Sequence, residues 1–212
     1  MRYIACNKYL NIILHKSYMS KNYLLNNNKN YKHMLKYFMK IKANDVLYLQ
    51  GIKQAELNKS KVLVKDIGYY KFEQQKIHSI TITKFNTDTK TWQILTINSV
   101  FGEYYAISHP LTTNEIKNIF GCCNLLKLLK YQNIKIIPKS NQINDWIDKS
   151  YSSRPLMQKG LISIGKKNKN IPLSCYTITG SDDRMSIDIE CWSTGKIITY
   201  ATACYNNYFI HL

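Results

Sequence analysis

From Lys61 to Tyr205 the chain is a succession of short segments in which apolar and polar residues alternate, separated by turn-forming clusters. A period of two confines most of the chain to β-structure. The segments are Lys61 to Ile67, Lys76 to Phe85, Thr91 to Val100, Gly160 to Ile164, Leu173 to Thr179, Arg184 to Trp192 and Lys196 to Tyr205. In the sixth, Met185, Ile187, Ile189 and Cys191 alternate with Ser186, Asp188 and Glu190. That pattern predicts a half-buried strand with one wet face. Ser193-Thr194-Gly195 then predicts a hairpin turn into the last segment.

Two stretches carry helical spacing instead. Thr112 with Glu115 three residues on is a capping-box start, and Ile116, Ile119, Phe120, Cys123 and Leu126 supply a buried face. This predicts a helix running to about Lys130, bent at Gly121 because glycine costs helix stability. Nearer the start, Tyr31, Met34, Leu35, Phe38 and Ile41 recur at helical spacing while Lys32, Lys36, Lys40 and Lys42 fill the remainder. Residues 31–42 therefore read as a basic amphipathic helix, suited to nucleic acid, to an anionic membrane or to packing on the β core. The expected architecture is α+β: a basic helical extension over 1–45, then a β-rich domain over 46–212 with a mostly antiparallel, barrel-like sheet and one central helix.

Charge bears on partners rather than on fold. Thirty Lys and Arg face 13 Asp and Glu, and no acid occurs before Asp45. The imbalance implies a polyanionic partner. Only Arg2, Arg154 and Arg184 are arginine, and lysine suits attraction to a phosphate backbone better than bidentate reading of bases. The wealth of Lys, Asn and Ile also points to an AT-rich genome. No apolar run reaches the length of a membrane span, and polar residues break up the first 15 too often for a signal peptide. Six scattered cysteines without a CxxC pair read as small buried hydrophobes. The expected setting is intracellular and reducing, in the cytoplasm of a host cell or an organelle matrix, with no metal and no cofactor.

The histidines are His15, His33, His78, His109 and His211, and none lies in a known nucleophile, zinc or phosphate-loop frame. His15-Lys-Ser17 resembles one half of the paired signature of 2H phosphoesterases, without a second copy. Asp182-Asp183 beside Gly180-Ser181 reads as a solvated turn more readily than as a metal site. Asp145 and Asp148 around Trp146 read as surface residues in the same way.

The stretch from Ile67-Gly68 through Lys76-Ile-His78-Ser79-Ile80 to Phe85, continuing to Trp92-Gln-Ile-Leu95, resembles a segment of the poxin family. Poxins are viral nucleases of the cyclic dinucleotide 2′,3′-cGAMP, with a fold similar to chymotrypsin-like viral proteases and a metal-independent His, Tyr and Lys site. Tyr131-Gln-Asn-Ile-Lys135 matches the family's Tyr-x-x-Ile-Lys pattern, and His15 lies near the start as the family's His does. The resemblance implies that His15 takes a 2′-hydroxyl proton while Tyr131 and Lys135 stabilise the phosphorane. Two features depart from the family: residues 133–137 read as a strand where a helix is expected, and no aromatic-Pro-Gly follows His15.

The residues themselves favour a different function: a non-catalytic RNA-binding or ribonucleoprotein component. Tyrosines alternate with basic residues near the start, so rings can stack on bases while ammonium groups meet phosphates. The expected contacts are Lys32, Lys36, Lys40 and Lys42, with a second patch at Arg154, Lys159, Lys166, Lys167 and Lys169. A virion or assembly subunit facing packaged genome is the further alternative, and a cyclic dinucleotide is the ligand under the poxin reading.

Overall fold

The computed structural model describes residues 38–73, 75–86, 90–99, 102–122, 125–130, 134–139, 145–153, 156–165, 170–182, 184–205 and 210–211. The strands in chain order are β1 (Val46–Leu49), β2 (Ser60–Phe72), β3 (Lys76–Lys84), β4 (Thr91–Ser99) and β5 (Gly102–Leu111). Helix α1 (Thr113–Phe120) and a 3₁₀ turn (Leu125–Lys130) follow, then β6 (Ile134–Ile136), β7 (Tyr151–Ser153), β8 (Leu156–Ile164), β9 (Ile171–Thr179), β10 (Met185–Trp192), β11 (Ile197–Tyr205) and β12 (Ile210–His211).

Every pairing is antiparallel, in the order β12-β1-β2-β3-β4-β5-β11-β10-β9-β8. A further pairing of β2 with β8 closes the eight strands from β2 to β8 into a barrel. Strand β2 manages three neighbours because it is long: Ser60 to Leu63 pair with β1, Gly68 to Phe72 pair with β8, and β3 runs along its other edge. A bulge between Val64 and Asp66 bends it between the two uses. An extra residue at a bulge also exchanges the faces of everything downstream.

Across-strand partners share a face. One face carries Tyr70, Gln93, Ser108, Tyr200, Asp188, Glu190, Cys175 and Ile162. The Tyr70 hydroxyl on β2 donates to Gln93 Oε1 on β4 at 3.1 Å and lies within electrostatic reach of Glu190 on β10. Contacts spanning that many strands are possible only on the concave side, so this face is the barrel interior. The outer face carries Val62, Val64, Ile80, Ile82, Trp92, Ile94, Ile107, Ile187 and Ala201. These residues form the main apolar core with Leu47, Leu49, Leu57, Ile116, Ile119, Phe120, Trp146 and Tyr151. The larger hydrophobic core therefore lies between the barrel wall and the segments laid over it, and only a small apolar plug of Tyr70, Ile162 and Leu173 fills the inside.

The expected strands and the 193–195 hairpin are present, β6 falls within the strand read over 133–137, and β1, β5, β7 and β12 are in addition. Three expectations change. The helix ends at Phe120, because Gly121 takes a left-handed conformation at φ 71° and donates its N–H to Lys117 O, so it caps the helix rather than bending it. The expected wet face of β10 is the barrel interior: Glu190 is 4% exposed, and alternation here separates two buried sides. The basic helix over 31–42 lies mostly outside the described residues, although Phe38 and Ile41 are buried in the main core. No helix among the described residues is long and apolar enough to cross a membrane.

Closure sets tight steric limits at the seam. A Cβ on Gly68 would stand 2.3 Å from Ser163 O, and one on Gly160 would stand 2.6 Å from the Phe72 ring. Gly68→Ala is expected to cost about 3 kcal/mol or more in urea denaturation through overpacking of backbone on backbone. Gly51→Ala, at φ 85° with nothing within 4 Å of its Cβ, is expected to cost only about 1–2 kcal/mol for the left-handed conformation.

Candidate functional site

Beyond the bulge of β2, the outer face of the barrel turns from apolar to basic and aromatic. Residues Tyr69 and Lys71 project there from β2, opposite His78 and Lys76 of β3 and opposite Ser163 and Leu161 of β8. Residue Lys159 lies on the same face of β8, one alternation before Leu161. Side chains Lys71, Lys76 and Lys159 are exposed. The Lys76 ammonium stands 4.4 Å from the centre of the Tyr69 ring, a cation–π contact that holds the lysine over the sheet. The Tyr69 hydroxyl donates to Asn170 Oδ1 at 3.3 Å. Asn170 directly precedes β9 and so brings the start of that strand beside this face. Burial first, and the Lys76 ammonium second, push the His78 imidazole below its ordinary value.

The register places Lys71 directly across from Lys76. Like charges opposite one another destabilise a sheet, and Glu73 is the single acid between Tyr69 and Ser79. From Lys149 to Ser181 the chain has no acid at all. Two adjoining hairpins thus present an excess of positive charge on one surface.

The interior is polar and acidic by contrast. Asp188 accepts from Thr177 Oγ1 at 2.6 Å and from Ser186 Oγ at 3.1 Å, and it is also hydrogen-bonded to Thr202. Glu190 accepts from Trp192 Nε1 at 2.9 Å. Burial pushes both carboxyls above their usual range and drives the thiol of Cys204 up to about 12.

A third cluster lies on the covered part of the outer face. The His109 ring sits 5.4 Å from the Trp146 ring and 6.4 Å from that of Trp92, with Nε2 3.4 Å from Glu115 Oε1. Nδ1 of His109 and Nε1 of Trp92 have no hydrogen-bond partner among the described residues. The imidazole is 5% exposed and is sealed beneath Trp146, whose indole N–H donates to Glu56 Oε1 at 2.8 Å. Without access this histidine is a packing residue.

Of the residues singled out from the sequence, Lys40, Lys42 and Lys135 are exposed, and Lys135 lies on β6. The positions of His15, Tyr131, Lys32, Lys36, Arg154, Lys166, Lys167 and Lys169 fall outside the described residues. Asp182 forms an ion pair with Arg184 at 3.1 Å and stands 4.0 Å from Lys53, which makes it a salt-bridged turn residue. Asp145 and Asp148 pin loops: Asp145 accepts from the Ala55 N–H, and Asp148 accepts from the Asp182 N–H and the Ser181 hydroxyl. No group of three or more His, Cys, Asp or Glu among the described residues is placed to hold a metal. Sequence reasoning missed Tyr69, Lys71, Lys76 and His78 as a group, because nothing in the sequence announces the bulge that turns them outward together.

Comparison with protein-family models, with curated proteins and with solved structures gives no match.

Glu115 provides a test of the helix end of this arrangement. Partial burial raises its carboxyl, yet the Thr112 N–H and hydroxyl and then His109 hold it below the ordinary range on balance. A lowered folded value means stability that is present above the unfolded value and lost as pH falls through the folded one. Glu115→Gln keeps the capping box and removes the charge. The stability advantage of wild type over this variant is therefore expected to shrink as pH drops below about 4.5, read from thermal melts across the acid range.

Proposed function

We propose that this protein binds an extended polyanion, RNA foremost, along the outer face of the two hairpins that meet at the β2–β8 seam. The observation that carries the reading is the Lys71–Lys76 pair, two lysines paired in register on a sheet beside Tyr69, His78 and Lys159. A polyanion relieves the repulsion that such a face builds into the free protein, and the release of its counterions drives association. Recognition is of the backbone. Lysine lacks the planar fork that reads bases, and one side of the Tyr69 ring is already taken by Lys76.

The basic residues of 1–45 extend the same attraction, and removing residues 1–44 is expected to lower affinity and flatten its salt dependence. The proposed role is that of a binding or ribonucleoprotein component. The poxin resemblance enters the test as a competitor: 2′,3′-cGAMP is included and its integrity checked afterwards.

A binding isotherm for single-stranded RNA at several salt concentrations tests the site. Lys71→Gln and Lys76→Gln are each expected to weaken binding and to reduce the log–log salt slope by about 0.7 to 1. Because the pair is repulsive, Lys71→Gln, which leaves the Lys76–Tyr69 contact in place, should not lower the melting temperature. Unchanged slopes contradict the site, and metal-independent cleavage of cGAMP with weak RNA binding replaces the reading with the nuclease.

The pH dependence follows from His78. Its imidazole is neutral at pH 7 and charges only below its ordinary value of about 6.5. Affinity for RNA is expected to rise as pH falls through that region, and His78→Gln to abolish the added increment.

A further inference from the structure

Inward side chains commonly fill a small barrel, yet in this one they are less buried than those on its outer wall. Ile80, Ile82, Ile94, Ile107 and Ile187 point outward and are each 0% exposed. On the same strands the inward neighbours Thr81, Gln93, Leu95 and Asp188 are only half-buried, and so are Cys175 and Thr177 of β9. All six lie inside paired strands, so their exposure is not fraying at an end. The barrel therefore encloses space that its own side chains leave open. Eight strands give an interior wide enough for one small ligand, and barrel mouths are a common place for such sites.

The open space differs in character from one part to another. The apolar plug of Tyr70, Ile162 and Leu173 has Leu95, Ile77 and Cys175 packed against it. Along β10 the wall is polar. Asp188 Oδ1 accepts from Thr177 and Oδ2 from Ser186, while Glu190 Oε2 accepts from the Trp192 indole. The Tyr70 hydroxyl donates to Gln93. Thr177, Ser186 and Tyr70 thereby spend their hydrogens within the wall, and acceptor lone pairs predominate. These bonds bring no positive charge. No lysine or arginine occupies a described inward position of β9, β10 or β11. Lys196, directly before β11, is exposed and rests on the Trp192 ring at 4.5 Å. Burial raises the Asp188 carboxyl, and no cation among the described residues offsets that rise.

We propose that the barrel lumen binds a small organic cation, its ammonium group seated against Asp188 and its hydrocarbon body turned toward the plug at Leu95. An ammonium supplies what the wall lacks, three hydrogen-bond donors and a positive charge, and it offsets the cost of a carboxylate held away from water. The hydrocarbon body buries apolar surface at the plug. A bare metal ion fits less well, because among the described residues no group of three or more His, Cys, Asp or Glu is placed to hold one. This site is separate from the polyanion face: the barrel wall stands between the two, and they attract opposite charges.

The test is an NMR titration of the full chain with ethylammonium, butylammonium and phenethylammonium, each compared with the alcohol and the carboxylate of the same carbon skeleton. At least one amine is expected to show nuclear Overhauser contacts to the Leu95 methyl groups. That amine is expected to bind about tenfold or more tightly than its alcohol, as a charged hydrogen bond requires, with the carboxylate excluded. Asp188→Asn is expected to remove the preference for amine over alcohol; if that variant fails to fold, the wild-type comparison decides alone. The proposal is overturned if no amine binds at millimolar concentration, if amine and alcohol bind alike, if a folded Asp188→Asn protein keeps the full preference, or if the bound amine makes no contact with Leu95.

Discussion

Closure of the barrel along the short pairing of β2 with β8 is the constraint on which the rest of the structure depends. Five residue pairs, Gly68 to Phe72 against Gly160 to Ile164, convert a curved sheet into a barrel. The pairing requires glycine at Gly68 and Gly160, where the opposing backbone and the Phe72 ring leave no room for a Cβ. It also requires the bulge at Val64/Asp66, because a straight β2 cannot serve β1 at one end and β8 at the other. Once the strand bends, Tyr70 enters the barrel and Tyr69 with Lys71 leaves it. The outward Tyr69 and Lys71 and the inward Tyr70 phenol are therefore products of one irregularity.

The distribution of charge across the wall is the second theme. Lysines crowd the outer surface of the seam, while the inside holds Asp188 and Glu190 among hydroxyls and phenols. In most small barrels apolar side chains fill the interior. Here the apolar residues sit chiefly outside the wall, under β1, α1 and the segment around Trp146. A polar interior whose members bond to one another is costly unless every member is satisfied. The hydroxyls on Asp188, the Trp192 indole on Glu190 and the Tyr70–Gln93 bond supply that satisfaction.

Much of the β framework is legible in the sequence, because strand periodicity is local: the strands around Thr91–Ser99 and Met185–Trp192 end within a residue of where alternation places them. What alternation does not encode is which side is solvent. The Ser186, Asp188, Glu190 series reads as a wet face because polar residues usually mean water, and only closure shows that it is lined by β2, β4 and β11. Gly121 carries the same lesson on a smaller scale, since helical spacing continues beyond it while its left-handed backbone ends the helix. The bulge in β2 is invisible for a further reason: nothing about Lys65 marks the place where the register with β3 shifts. Of the residues first singled out for RNA contact, Lys40, Lys42 and Lys159 are exposed and Lys159 lies on the candidate face, whereas the grouping of Lys71, Lys76, Tyr69 and His78 depends on pairing across three strands.

The measurement that bears most directly on the central claim is amide hydrogen exchange of the full chain with and without single-stranded RNA at low salt. The account predicts protection concentrated in the β2–β3 and β8–β9 hairpins, including Tyr69 to His78 and Lys159 to Asn170, and its disappearance at high salt. Protection that leaves both hairpins unchanged, or that persists undiminished in high salt, contradicts it.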